Sequence, residues 1–240
     1  MRVLFALGSN GSGQLGIGHK EDVSVPKQVL LPEDIDALPV KKIVAGGNHT
    51  LLLSDDGNLF WSGDPSTGAC GKVEAEQKVS PQFHQVNLSG LQQPCKIGLV
   101  AATWEASFIT RLDEQGSSFQ IYSFGVGMKG ELGQSELIVR IPAPSLIPKF
   151  PPTDTTIVDL AGCMGHVVAV LSDGSVYGWG NGRKGQLGLP EAVVHHPRKI
   201  EDVGFPVVRA VCGKDFTCLS FKASGRCSIS NYNIFDFLFK

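Results

Sequence analysis

The sequence predicts an all-β chain of the β-propeller type, with about four blades marked and an incomplete ring. Three observations carry this expectation. The phrase Gly8-Ser9-Asn10-Gly11-Ser12-Gly13-Gln14-Leu15-Gly16 returns as Gly180-Asn181-Gly182-Arg183-Lys184-Gly185-Gln186-Leu187-Gly188, with a looser copy at Gly125–Gly133. The markers Gly8, Gly63, Gly125 and Gly180 are spaced 55, 62 and 55 residues apart, which suits a unit of several short strands. No long stretch carries the 3.6-residue apolar period of an amphipathic helix.

Each unit has the same internal order. The Gly-rich turn comes first. A Pro-bounded extended segment follows, at Pro26–Pro32, Pro81–Val86, Pro142–Pro148 and Pro197–Val203. A short apolar strand then runs into a small turn, as in Lys42–Gly46, Ile157–Gly162 and Val208–Gly213. A second strand follows at His49–Ser54, Ser107–Arg111, Val167–Ser172 and Thr217–Phe221. Asp56-Gly57 and Asp173-Gly174 mark hairpin turns after it. The last strand ends in Trp61, Phe124 or Trp179 and delivers the chain to the next Gly-rich turn. The unit is thus about four strands joined by tight turns. A lone sheet of that size cannot cover both its faces, so neighbours stack and share stability. The three aromatics are expected to pack between blades. The copies run about 8–62, 63–124, 125–179 and 180–225.

Composition narrows the function classes. Of 240 residues, 42% are hydrophobic, which is too apolar for a disordered chain. With 21 basic and 23 acidic side chains, no global attraction to nucleic acid or an anionic membrane is expected. Met1–Phe5 reads as the start of an apolar strand, without a leader pattern, so the expectation is a cytoplasmic or nuclear protein. The six cysteines form no C-x-x-C pair and are expected to be buried reduced thiols.

Several motifs have a chemical and a structural reading. Gly11–Gly16, Gly125–Gly130 and Gly180–Gly185 fit G-x-G-x-x-G, but a phosphate site needs that pattern to open a helix, and none follows. Glycine there is expected to supply positive φ. His49 and His166 occupy matching places whose counterparts are Ala106 and Phe216, so they are expected to be structural. His195-His196 is expected in a surface loop, and Asp55-Asp56 and Asp113-Glu114 in solvated turns. No nucleophile and base can be assembled, so the chain is read as non-enzymatic, with no cofactor and no metal.

Val176–Gly188 and Ile43–Gly57 resemble the two halves of the regulator of chromosome condensation repeat, and the resemblance covers about residues 3–221. It implies a β-propeller. Within that family the opening Leu7–His19 most resembles the fungal alpha-tubulin suppressor, or killer-toxin-insensitivity factor. That implies a scaffold for a small zinc-ribbon electron carrier in diphthamide synthesis and Elongator-type modification of tRNA wobble uridines. The alternatives the family implies are guanine-nucleotide exchange on a small GTPase and a chromatin adaptor. Neither the exchange factor's inserted β-wedge nor a basic tail is evident between or before the copies.

Two departures from the pattern remain. The repeat stops after Gly225, and the tail at 226–240 is read as foreign, from a truncated or mis-spliced gene model. Thr103-Trp104-Glu105 replaces the small turn Gly46-Gly47-Asn48, and Arg183-Lys184 replaces Gly11-Ser12 in the Gly-rich turn. Exposed aromatic and basic residues at turns are typical interface anchors. Trp104, Glu105, Arg183 and Lys184 are the candidate partner-binding residues.

Overall fold

The computed structural model describes residues 3–32, 39–73 and 79–221. The tail at 226–240 and Cys227 lie outside them. Every regular element among the described residues is a strand.

Three four-stranded antiparallel sheets follow one another along the chain. The first holds β3 (Val40–Ala45), β4 (His49–Ser54), β5 (Leu59–Gly63) and β6 (Ser80–Gln85). The second holds β7 (Ile97–Ala102), β8 (Ala106–Leu112), β9 (Ser118–Val126) and β10 (Arg140–Leu146). The third holds β11 (Ile157–Cys163), β12 (His166–Leu171), β13 (Val176–Asn181) and β14 (Val193–Lys199). Each sheet is a blade in simple meander order. Two-stranded sheets flank them: β1 (Phe5–Gly8) with β2 (Val23–Gln28), and β15 (Arg209–Cys212) with β16 (Thr217–Ser220). β1 and β2 flank a Gly-rich turn, as third and fourth strands do. β15 and β16 flank the small turn that joins first and second strands. Among the described residues β1 and β16 do not pair, and the arc is open.

The sequence copies are staggered by one strand against the sheets. The Gly-rich turn lies inside a blade, between its third and fourth strands, so a copy counted from Gly63 takes β6 from one blade and β7 to β9 from the next. Tandem strands adjacent in sequence do not announce which of them share a sheet.

The repeat is nonetheless in register. Gly63, Gly125 and Gly180 stand opposite His49, Ala106 and His166, the first residues of the three second strands. At each of these glycines φ is positive, and a Cβ would strike the backbone of the small turn: Asn48 O, Glu105 O and Gly165 O. That close approach is why glycine recurs there.

First strands lie innermost, with β3 against β7, β7 against β11 and β11 against β15. In the three complete blades second strands are covered by neighbouring blades, and β12, His-Val-Val-Ala-Val-Leu, is buried throughout; β16, at the open end, is not. Trp61, Phe124 and Trp179 are buried, and Trp179 meets Phe108 of the preceding blade edge-on at 6.1 Å. Fourth strands form the outer edges and carry Pro26, Pro81, Pro142, Pro144 and Pro197. Proline lacks the N–H that a further strand would need, so these edges resist pairing with another chain. The strands run through these prolines rather than beginning at them. His195-His196, expected in a loop, therefore lies within β14. The thiols among the described residues are free, as expected, but only Cys70 is buried; Cys95, Cys163 and Cys212 are half-buried and Cys218 is exposed.

Candidate functional site

Because the strands alternate in direction, the small first-to-second-strand turns and the Gly-rich turns share one side of the propeller. The candidate residues all lie there.

The Gly-rich turns are locked from within and from the next blade. Gln14, Glu131 and Gln186 fold their side chains back to accept the N–H groups of Ser12 (3.0 Å), Lys129 (2.6 Å) and Lys184 (2.8 Å). Burial raises the Glu131 carboxyl above its usual range. Donors that a phosphate would need are thus already engaged, and no helix follows. The G-x-G-x-x-G copies are turns.

The backbone carbonyl at the Gln position binds the following blade. Gln14 O accepts from Thr50 Oγ1 at 2.7 Å, Ala69 O from Ser107 Oγ at 2.7 Å, and Gln186 O from Thr217 Oγ1 at 2.8 Å. The matching place in the third blade is Val167, which has no hydroxyl. There the Trp179 indole N–H donates to Glu131 O at 2.7 Å instead. The two histidines extend the same ties. His49 Nε2 lies 2.9 Å from Ser107 Oγ, and His166 Nε2 lies 3.1 Å from Thr217 Oγ1. Each hydroxyl already spends its proton on a carbonyl, so each imidazole is the donor. Ala106 holds the histidine's place in the second blade and Val167 the hydroxyl's place in the third, and neither is polar. Burial pushes the His49 pKa down to about 4 and lowers that of His166, so His49 stays neutral near pH 7. These histidines are structural, as the repeat comparison suggested.

The small turns form a second chain of contacts near the axis. Gly47 N–H donates to Trp104 O at 2.7 Å, and Trp104 N–H donates to Met164 O at 2.9 Å. The Trp104 ring lies directly on Gly47, where a Cβ would come within 2.6 Å of it. Trp104 remains 50% exposed, while Trp61 and Trp179 are at 1% and 0%. Beside it, Glu105 is exposed and its carbonyl accepts the Val126 N–H at 2.8 Å. Two residues on, Met128 projects from the Gly-rich turn at 69% exposure. Gly127 N–H in turn donates to Val139 O at 3.0 Å, bringing up the apolar run Leu137-Ile138-Val139, of which Leu137 is 87% exposed.

The second blade thus exposes Trp104 at its small turn and Met128, Leu137 and Val139 about its Gly-rich turn, with Met164 exposed on the small turn of the third; Leu137 lies beside residues 193–196 and Arg198 of the third blade's outer strand. Arg183 and Lys184 are exposed on the third blade's Gly-rich turn. They are reached from Met164 through the Asn181 N–H to Gly165 O bond of 2.7 Å. Trp104 and Glu105 therefore form one cluster, and the basic pair lies on the same side across the Met164 turn. Met128, Met164 and Leu137 are absent from the sequence-derived set. A signal existed: Met128 aligns with Gly11 and Arg183, and Leu137-Ile138-Val139 fills the loop where the first copy has Lys20-Glu21-Asp22. Such a surface, apolar with a charged margin, fits recognition of a protein.

Models of the regulator of chromosome condensation (RCC1) repeat match residues 3–53, 173–220 and 40–69. An RCC1 repeat-containing protein of Schizosaccharomyces pombe is 33% identical over 90% of this chain and 60% of its own length. The mouse secretion-regulating guanine nucleotide exchange factor is 33% identical over 75% of this chain and 36% of its own. The crystal structure of Prp20p from Saccharomyces cerevisiae superposes with a TM-score of 0.73 at 24% identity, over 90% of this chain and 50% of that one. The chain thus spans less than two thirds of each. It carries repeats of the regulator of chromosome condensation type, folded as blades of the β-propeller that those repeats build.

Proposed function

We propose that this chain is a non-enzymatic scaffold that docks a protein partner on the apolar side of its second blade. The observation that carries this reading is Trp104, seated on Gly47 and half exposed where every other tryptophan is buried. A fixed, half-exposed aromatic bonded through its backbone to the exposed Met164 turn makes an anchor that a partner desolvates at little entropic cost. Glu105 on one flank and Arg183 and Lys184 on the other supply charges that orient the partner.

The partner proposed is a small zinc-ribbon electron carrier of diphthamide synthesis and Elongator-type tRNA wobble uridine modification. Its support is the resemblance of Leu7–His19 to the fungal alpha-tubulin suppressor. Mixing the purified proteins and resolving them by size exclusion tests it. Co-elution that Trp104→Ala abolishes is expected, and separate elution of the folded proteins counts against it.

Exchange on a small GTPase is the competing reading. It is favoured by the name of the mouse relative and by the reported binding of Prp20p to Gsp1p and histones. A nucleotide-release assay separates the two: accelerated release would replace the scaffold reading.

A further inference from the structure

The innermost layer of the propeller carries a charge pattern that blade packing uses only in part. Lys42, Leu99, Asp159 and Arg209 hold the same register position on β3, β7, β11 and β15, counted back from Gly46, Thr103, Cys163 and Gly213. They therefore lie in one layer around the axis. Lys42 reaches past the second blade, and its Nζ donates to Leu160 O of the third at 3.1 Å. Asp159 Oδ2 accepts the Ala210 N–H at 2.8 Å, one residue from Arg209.

Among the described residues this layer is short of negative charge. Two cationic groups face one carboxylate, and that carboxylate already holds a backbone N–H. Burial holds the Lys42 amine below the ordinary lysine range. Asp159 acts against that shift and Arg209 adds to it. The ion pairs among the described residues are Arg198–Glu191 and Lys199–Glu201, so neither Lys42 nor Arg209 forms one. The ammonium keeps two further donors, and the exposed guanidinium offers its fork. Asp159 is shared between the two cations, so the layer keeps one positive charge in excess, which a further anion would offset.

We propose that this axial layer binds a small oxyanionic group, a carboxylate or a phosphate, between Lys42 and Arg209. Asp159 sets its affinity by repulsion. The site stands apart from the apolar docking side and does not depend on it.

Isothermal titration of the full chain with inorganic phosphate tests the proposal, with ionic strength held constant by sodium chloride. Saturable binding is expected. Lys42→Met and Arg209→Gln should each weaken it about tenfold through loss of a charge-assisted bond. Asp159→Asn keeps an acceptor for the Ala210 N–H while removing the opposing charge, so it should tighten binding about threefold. Circular dichroism checks that each variant folds, and Arg209→Gln alters an exposed side chain, so that arm survives if Lys42→Met unfolds. A short polyglutamate peptide forms a second arm. Tighter binding of the peptide assigns the anion to an acidic chain, tighter binding of phosphate assigns it to a free ion, and either keeps the site. No saturable heat with either probe would overturn the proposal. So would equal affinity in wild type and both cation variants, or weakened binding in Asp159→Asn.

Discussion

Gly130→Ala and Gly185→Ala form a matched pair that isolates what one blade does to the next. Both glycines hold the same place in the Gly-rich turn, with φ of 79° and 80°. At Gly130 a Cβ would stand 2.7 Å from Val194 O and 3.1 Å from Val194 C, on the outer strand of the following blade. At Gly185, where the next blade has no fourth strand among the described residues, it would meet none of the described residues within 4 Å. Alanine in this left-handed region costs about 1–2 kcal/mol. Reduced freedom of the unfolded chain offsets about 0.4–1 kcal/mol of that. Gly185→Ala should therefore lose about 1 kcal/mol. Gly130→Ala carries the same backbone cost, and forcing β14 away adds about 1–3 kcal/mol of overpacking. Equilibrium urea unfolding reads both, followed by tryptophan fluorescence and far-UV circular dichroism, whose transitions must coincide for the comparison to stand. Equal losses in the two variants would refute the idea that this glycine exists for inter-blade approach.

Two further outcomes follow from the ties between blades. His49 is neutral when folded, with its pKa lowered to about 4, whereas the unfolded imidazole titrates near 6.5. The unfolded state then binds more protons between those values, so stability falls as pH drops through that window, by up to about 3 kcal/mol. The shift of His166 has the same sign, so His49→Gln should reduce the slope of urea midpoint against pH without flattening it; an unchanged slope would contradict this. Trp179→Phe leaves Glu131 O without its indole donor and should cost about 1–3 kcal/mol in the same urea assay. A loss near zero would remove this bond from the account.

The glycine phrase was legible because it records a backbone requirement repeated in each blade: positive φ and a close approach at Gly63, Gly125 and Gly180. The histidines were legible as structural because Ala106 and Phe216 broke any shared chemistry, and the structure adds the reason, a hydroxyl partner in the next blade. That pairing crosses 58 residues between His49 and Ser107, and no local pattern reports it. The stagger between copy and sheet was hidden for a similar reason, since pairing is not adjacency. Trp104 stood out as a bulky residue in a small turn. Met128, Met164 and Leu137 did not, because apolar residues in an apolar chain read as core until burial is known. Arg183 and Lys184 stood out as a basic pair in a glycine turn, and the structure puts them on the same side as Trp104 but in the third blade. His195-His196 misled because Pro197 suggested a loop, whereas an outer edge tolerates proline within the strand.

The central claim is that Trp104 is the buried anchor of a protein complex. Trp61 and Trp179 are at 1% and 0% exposure, so an aqueous quencher such as acrylamide reports almost entirely on Trp104 at 50%. Titrating the folded chain with the purified zinc-ribbon carrier, itself in a tryptophan-free form, should protect that indole and bring quenching down toward the level of the two buried ones. A complex that forms while Trp104 remains as quenchable as in the free chain would contradict the claim, and so would no complex at all.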